Sequence, residues 1–346
     1  MISRLSFVCK NRTLVTCNHV PNQMYTENTC PIKASLLSLI LMVLLLTAFT
    51  GTSVGQQAPK RYVAITFDDL PVVCQCENDA ERMEITEKLI ATFKKYKMPI
   101  LGVVNEQKLE SNGIVEPARL ALLQKWLEAG YELGNHGYSH KDINEIPFED
   151  YKDEILKGER VTRVLAQRAG LPYRFYRHPY LSAGDNLQIR RDLDSFLKSH
   201  NYVIAPNTIT YQDYTFSGAY DAALRKGDTQ LAQRIREAYL PYTLSRWEAA
   251  EKQSIALFGR EVKQILMVHA NRINADAFDE VAKAMQDRGY VFISIDEAMK
   301  DPAYERPDTF DGKVGVTWLS RWSAELEKTF SSTGMSVPEF VLNAAR

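Results

Sequence analysis

The strongest constraint in this sequence is an alternation. Seven short runs rich in Val, Ile, Tyr and Phe recur at Tyr62–Phe67, Ile100–Val104, Tyr131–Gly134, Tyr173–Tyr176, Tyr202–Ala205, Ile265–Val268 and Tyr290–Ile293. Their length and their β-branched or aromatic content predict strands. Between several of them lie stretches with helical spacing. Asp79–Tyr96 carries Met83, Ile85, Leu89, Ile90 and Phe93, and Glu116–Ala129, Phe148–Ala169 and Ala275–Arg288 follow the same pattern. The last three are each followed by glycine (Gly130, Gly170, Gly289), a helix-stop signal. Strand–helix alternation predicts parallel βα units and an α/β fold, and seven strands favour a barrel over an open sheet. No Gly-x-Gly-x-x-Gly follows the first strand, which argues against a dinucleotide-binding fold.

Two regions depart from the repeat. Tyr220–Glu261 is long, charged and helix-prone, and predicts a helical insertion packed beside or over the strand ends. Residues 301–346 follow the last strand as a C-terminal extension, with Trp318-Leu-Ser-Arg-Trp322 ahead of a helix-like Ala324–Phe330. No Gly-, Ser- or Pro-rich linker and no internal repeat divides residues 56–346, so one domain is expected there. The composition agrees. At 45% hydrophobic and net charge −1, with 42 basic against 43 acidic residues, the chain is neither a coiled coil, a collagen-like fibre nor a disordered tail. There is no basic excess to neutralise phosphates, so nucleic acid is not an expected partner. Nothing marks a protein partner.

Residues 1–55 read as a sorting segment. The apolar stretch Leu36–Phe49 has the length of a signal-peptide core rather than of a membrane span, which needs about 20 residues. Arg4, Lys10, Arg12 and Lys33 outnumber the single acid Glu27 upstream, and Ser53-Val54-Gly55 offers small residues before a cut at Gln56. The long leader makes Met24 an alternative start. Export to the periplasm or the exterior is expected, with an uncleaved membrane anchor as the alternative. Of five Cys, Cys9, Cys17 and Cys30 fall in this segment and only Cys74 and Cys76 lie beyond it. A bridge between residues two apart is strained, so free thiols are expected there, or else an unusual loop bridge in an oxidising compartment.

Each polar cluster follows a predicted strand, the edge of parallel α/β folds where chemistry collects. Thr66-Phe67-Asp68-Asp69 ends the first strand with two carboxylates. His136 and His140 stand at i and i+4 around Gly137, a spacing that brings two imidazoles to one ion if the segment turns tightly. Arg177-His178-Pro179-Tyr180 puts a guanidinium at a strand end, where it can pair with a carboxylate. Asp213-Tyr214 pairs an acid with an aromatic, and His269-Ala270-Asn271 ends another strand. Taken singly, each has a plainer reading: Asp69 as a turn cap before Pro71, His269 as a satisfied core histidine.

Taken in order, these motifs resemble the polysaccharide deacetylases of carbohydrate esterase family 4. The residues that carry the resemblance are Thr66–Asp69, His136–His140, Arg177–Tyr180, Asp213-Tyr214 and Leu266–His269, and it spans about Arg61–Met299. Tyr214 stands where Trp is common in the family, and no Asp follows His269. The resemblance implies a distorted (β/α) barrel of seven or eight mostly parallel strands. It implies Asp69, His136 and His140 as ligands of one divalent metal, with zinc the first choice. It further implies Asp68 as general base held by Arg177, the Tyr180 amide as oxyanion donor, and His269 as general acid supported by Asp213. Tyr138, Tyr180, Tyr211 and Tyr214, near the motifs, could stack on sugar rings; Trp318 and Trp322 could do so too, but a place in the core is the plainer reading for both. The implied reaction removes an N- or O-acetyl group from a polysaccharide or oligosaccharide and releases acetate. Rival readings are a catalytically inactive sugar- or metal-binding module, an amidohydrolase acting on a small amide, and a two-His-one-carboxylate iron oxygenase.

Overall fold

The computed structural model describes residues 60–330 and 334–346. The sorting segment predicted at 1–55 lies outside the described residues. Gln57–Arg346 forms one compact unit, and no helix among the described residues is long and apolar enough to cross a membrane.

All seven predicted strands form. They are β1 (Arg61–Val73), β2 (Ile100–Val104), β5 (Glu132–Asn135), β6 (Phe175–Tyr176), β7 (Val203–Ile204), β9 (Gln264–Asn271) and β10 (Tyr290–Phe292). Three more went unpredicted: the small antiparallel hairpin β3 (Glu110–Ser111) and β4 (Ile114–Val115), and the two-residue β8 (Ile209–Thr210). The main sheet is wholly parallel and runs β7-β6-β5-β2-β1-β9-β8, with β10 paired to the start of β1. The register places Asp68 of β1 directly beside His269 of β9.

This sheet has to curl. Ala205 donates to the carbonyl of Tyr176 on β6, and Thr208 donates to that of Ile265 on β9. Those bonds attach the two outer edges of the sheet to points three residues apart, at most about 11 Å of chain. Seven strands laid flat would hold the edges about 29 Å apart at ~4.8 Å per strand. The sheet is therefore a distorted barrel whose seam is bridged by Pro206-Asn207 instead of by a ladder.

Two cores follow from the alternation of side chains along each strand. Outward residues Val63, Ile65 and Phe67 pack under helices α1 (Asp79–Lys95), α2 (Pro117–Glu128) and α8 (Arg272–Asp287). Phe67 lies 4.9 Å from Phe93, 5.3 Å from Phe278 and 6.0 Å from Trp126, between ring centroids. The inward set is smaller: Ala64, Leu101, Val103, Ala205 and Ile265 around Phe175. Thr66 and Asp68 continue that inward face of β1 towards the barrel mouth.

The helices need several corrections. Phe148–Ala169 divides into α3 (Phe148–Lys157) and α4 (Thr162–Arg168) at Gly158. A Cβ there would sit 2.7 Å from the Gly137 carbonyl carbon, so the chain breaks where it passes the His136–His140 turn. An unpredicted helix, α5 (Leu187–Ser199), is capped by Asn186, which accepts from the amides of Gln188 and Ile189. The insertion is two helices, α6 (Asp213–Arg225) and α7 (Thr229–Phe258), and it begins at Asp213 rather than Tyr220. It packs beside the barrel, with Tyr239, Tyr242 and Trp247 buried. After the short α9 (Ile295–Met299), the extension forms α10 (Trp318–Glu325) and α11 (Glu339–Ala344). The helix predicted at Ala324–Phe330 is thus displaced towards the N-terminus, because Thr317 caps it by accepting from the Ser320 amide. Trp322 belongs to the core, packed on Phe258 and Tyr304 at 5.3 and 5.1 Å, and is no sugar platform.

Cys74 and Cys76 are joined in a disulfide, so the expectation of free thiols is corrected in favour of the loop bridge. The segment after β1 turns sharply enough to bring the two Cα atoms to 5.1 Å, inside the bridging range.

Candidate metal centre

The site is built on a break in β1. Adjacent strand residues normally face opposite ways, yet Asp68 and Asp69 face one site. Pairing between β1 and β2 shifts register between Phe67 and Leu70, and Asp69 takes a left-handed backbone with φ of 65°. That bulge turns the second carboxylate to the side of the first. His136 follows the end of β5. The Asn135 side chain accepts from the Gly137 amide at 2.7 Å, and Gly137 and His140 both have positive φ (75° and 58°). The His-x3-His pair is thus presented by a turn.

The Asp69 Oδ1 atom lies 3.4 Å from Nε2 of His136 and 3.4 Å from Nε2 of His140. All three donor atoms fall within 4.8 Å of one another. Donors about 2.0–2.1 Å from a tetrahedral ion stand about 3.3–3.4 Å apart, so this spacing fits a zinc-sized cation. Asp69 Oδ1 is buried and has no hydrogen-bond partner, as expected for an atom reserved for an ion. The Nδ1 of His136 faces the Arg177 carbonyl at 2.8 Å, which assigns the proton to Nδ1 and leaves Nε2 free to ligate. Burial holds both imidazoles below their usual pKa, that of His136 furthest, and so keeps them neutral. Burial also opposes ionisation of Asp69, but Lys108 and then His269 outweigh it and hold its carboxyl well below the usual range. Lys108 places Nζ 3.3 Å from Asp69 Oδ2 and donates to the Asp69 carbonyl. Sequence reasoning missed Lys108, because nothing around it forms a motif.

Asp68 is buried beside this set, its Oδ2 3.8 Å from His136 Nε2 and 3.6 Å from Arg177 Nη1, and its Oδ1 has no partner. Burial raises its pKa to about 6, against the opposing pull of Arg177 and His269. Arg177 is itself buried and is aimed by Thr66, whose hydroxyl accepts from Nη2 at 3.0 Å.

On the other flank, fully buried Asp213 opens α6 and accepts four bonds. They come from the His269 amide (2.9 Å), His269 Nδ1 (2.8 Å), Asn271 (2.9 Å) and Asn274 (2.8 Å). Burial alone would lower the pKa of His269, but Asp213 overrides it and raises it to about 9. Asn271 was visible beside His269 in the sequence, whereas Asn274 is recognisable only through the helix it opens. Tyr180 and Tyr214 stand at the rim, 59% and 52% exposed, the first 4.5 Å from the His140 ring and the second 5.8 Å from the His269 ring. The Tyr138 hydroxyl is instead taken by Glu110 at 2.8 Å. Trp318 lies at the barrel seam, lining a cavity to which none of the three clustered donors contributes.

A curled parallel barrel with an Asp-His-His cluster and a buried second carboxylate at its carboxyl edge defines an α/β-barrel protein with a metal-type centre. Residues 55–195, about two fifths of the chain, match the polysaccharide deacetylase family. The matched stretch contains the first three motifs, and Asp213 and His269 lie beyond it. The chain is 23% identical over 155 residues to a bifunctional xylanase/deacetylase of Pseudobutyrivibrio xylanivorans, covering 44% of this chain and 22% of that one. It is 27% identical over 125 residues to a peptidoglycan-N-acetylglucosamine deacetylase of Bacillus cereus, covering 35% and 37%. The matches therefore span well under half the length of these curated relatives. Among solved structures, a family 4 carbohydrate esterase from Streptomyces lividans is 16% identical with a TM-score of 0.43, covering 69% of this chain and 95% of that one. A peptidoglycan deacetylase from Bacillus subtilis is 19% identical with a TM-score of 0.43, covering 70% and 93%.

Proposed function

We propose that this protein hydrolyses acetyl groups from an acetylated carbohydrate, the N-acetyl amide first, and releases acetate. The observation that carries this reading is the Asp69–His136–His140 donor set at 3.4 Å spacing with the buried Asp68 carboxylate alongside. A divalent ion, zinc by donor type, would supply Lewis acidity for the acetyl carbonyl and for the attacking water. Asp68 then takes the proton of that water, with Arg177 keeping the carboxylate oriented. His269, protonated at neutral pH, gives a proton to the leaving amine or sugar oxygen, and Asp213 holds its ring. The Tyr180 amide donates to the developing oxyanion; losing one such donor typically costs ~10²–10³ in rate. The Tyr180 and Tyr214 rings flank the two sides of the centre, where sugar rings would stack. Residues 56–346 act as one catalytic domain, exported by the segment before it, in keeping with substrates that lie outside the cytoplasm.

Acetate release decides the matter. Purified protein is offered chitooligosaccharides, peptidoglycan and acetylxylan, with and without added zinc. Acetate from at least one of them, abolished in Asp68→Asn, is the expected result. No acetate from any substrate with the metal site loaded would leave the inactive binding module standing instead.

A further inference from the structure

We propose that the C-terminal extension holds the Tyr180 amide in place, with Gly315 and Arg321 as positioning residues. This rests on the deacetylase reading and deepens it, because the turn concerned carries the oxyanion donor of that reading.

The turn is costly by itself. Tyr180 and Leu181 are consecutive, both carry side chains, and both are left-handed, with φ of 56° and 58°. Residues in such conformations persist only where the surrounding structure over-determines them, and they gather at active sites. Within the turn, the Leu181 amide donates to the His178 carbonyl at 3.0 Å and the Ser182 amide to that of Pro179 at 3.1 Å. Neither bond involves the Tyr180 amide, so its direction depends on what packs against the turn.

The extension packs there with its backbone. Arg321 of α10 is 6% exposed, and its Nη2 donates to the Leu181 carbonyl at 3.1 Å. Its Nη1 pairs with Asp308, so one guanidinium ties both ends of the 308–321 segment to the turn. Gly315 lies against the same main chain. A Cβ there would collide with the Tyr180 carbonyl oxygen and stand 2.6 Å from the Leu181 carbonyl carbon and 2.8 Å from the Ser182 amide nitrogen. All three are backbone atoms, which cannot swing aside as a side chain can. Gly315 has no left-handed φ, so glycine is required for close approach rather than for conformational freedom. The segment is also anchored on either side of Gly315. Arg190 donates to the Gly312 carbonyl at 2.6 Å, Asn144 to that of Lys313 at 2.9 Å, and the Trp318 amide to that of Asn207 at 2.8 Å.

Gly315→Ala and Arg321→Met test this in the full chain, with Arg321→Lys as the conservative partner. Hydrogen exchange of the Leu181 and Ser182 amides reports the turn without any catalysis, and it should quicken about tenfold in Gly315→Ala and Arg321→Met. One equivalent of zinc should remain bound in both. In both, kcat and kcat/KM for acetate release should fall together by roughly 10²-fold, as when a contact made only in the transition state is lost. Arg321→Lys should recover most of the rate. Unchanged exchange in the folded variants, full kcat despite faster exchange, or loss of the metal along with the rate each overturns the proposal. If the wild type releases no acetate, the deacetylase reading fails and exchange alone decides whether the extension holds the turn. If one variant does not fold, the other carries the same criteria.

Discussion

Replacing Asp213 by Asn tests how the acid side of the centre is held. The substitution keeps size and shape but removes the charge and turns one acceptor oxygen into a donor. Asp213 accepts four bonds, so at least one of His269, Asn271 and Asn274 would then face a like donor. Charge-assisted bonds are worth about 1.5–3 kcal/mol each, which places the stability loss at roughly 2–4 kcal/mol. The catalytic consequence is larger. His269, raised to about 9 by Asp213, is about 99% protonated at pH 7. Without that carboxylate, only Asp69 and Asp68 remain to oppose burial, so the His269 pKa falls from about 9 and a smaller share of the ring is protonated at pH 7. The sign follows: the His269–Asp213 contribution to stability is fully present below ~6.5 and is lost as pH rises through about 9. The alkaline limb of the kcat/KM profile for acetate release should therefore move down from near 9 in Asp213→Asn, and NMR titration of the His269 ring should report the same shift. An unmoved alkaline limb, or a His269 ring that still titrates near 9, would refute the pairing as the source of the raised value.

The remaining predictions concern the metal, the base and the core. Asp69→Ala and His140→Ala should each reduce bound divalent metal from one equivalent to near none by elemental analysis; an unchanged stoichiometry contradicts the ligand assignment. Asp68→Asn should keep the metal and lose all but about a thousandth of turnover, and the wild-type acid limb should fall below pH 6, since burial raises the Asp68 pKa to about 6 and a bound cation lowers it from there. Phe67→Ala removes a ring packed against three others and should cost about 3–5 kcal/mol in urea unfolding; a loss below about 1 kcal/mol would show that this aromatic cluster does not support β1.

The legible parts of the fold were those with enough residues to show a period. β1, β2 and β9 are long and apolar, and all were read correctly. β8 is two residues long and forms because Ile209 and Thr210 lie along β9, a tertiary fact with no local signal. The split at Gly158 was hidden for a related reason: the turn it makes room for is distant in sequence. At the site, Asp68, Asp69, His136, His140, Arg177 and His269 stood out because polar residues ending apolar strands are conspicuous. Lys108 and Asn274 did not, since a lysine after a strand and an asparagine in a helix are ordinary until their partners are known. Trp322 takes the plainer of its two readings, a helix's buried stripe, whereas Tyr211, next to the Asp213-Tyr214 pair in sequence, is buried away from any sugar.

The backbone at Asp69 narrows what chemistry this centre can adopt. Two of its three donors, Asp69 and His140, occupy left-handed conformations, which among residues with a side chain Asp, Asn and His enter most readily. A glutamate or cysteine at either place would meet a steric penalty of about 1–2 kcal/mol before any coordination began. Redesign towards a softer or larger ion thus has to reshape two turns as well as exchange two ligands, and the choice of donors here is as much conformational as inorganic.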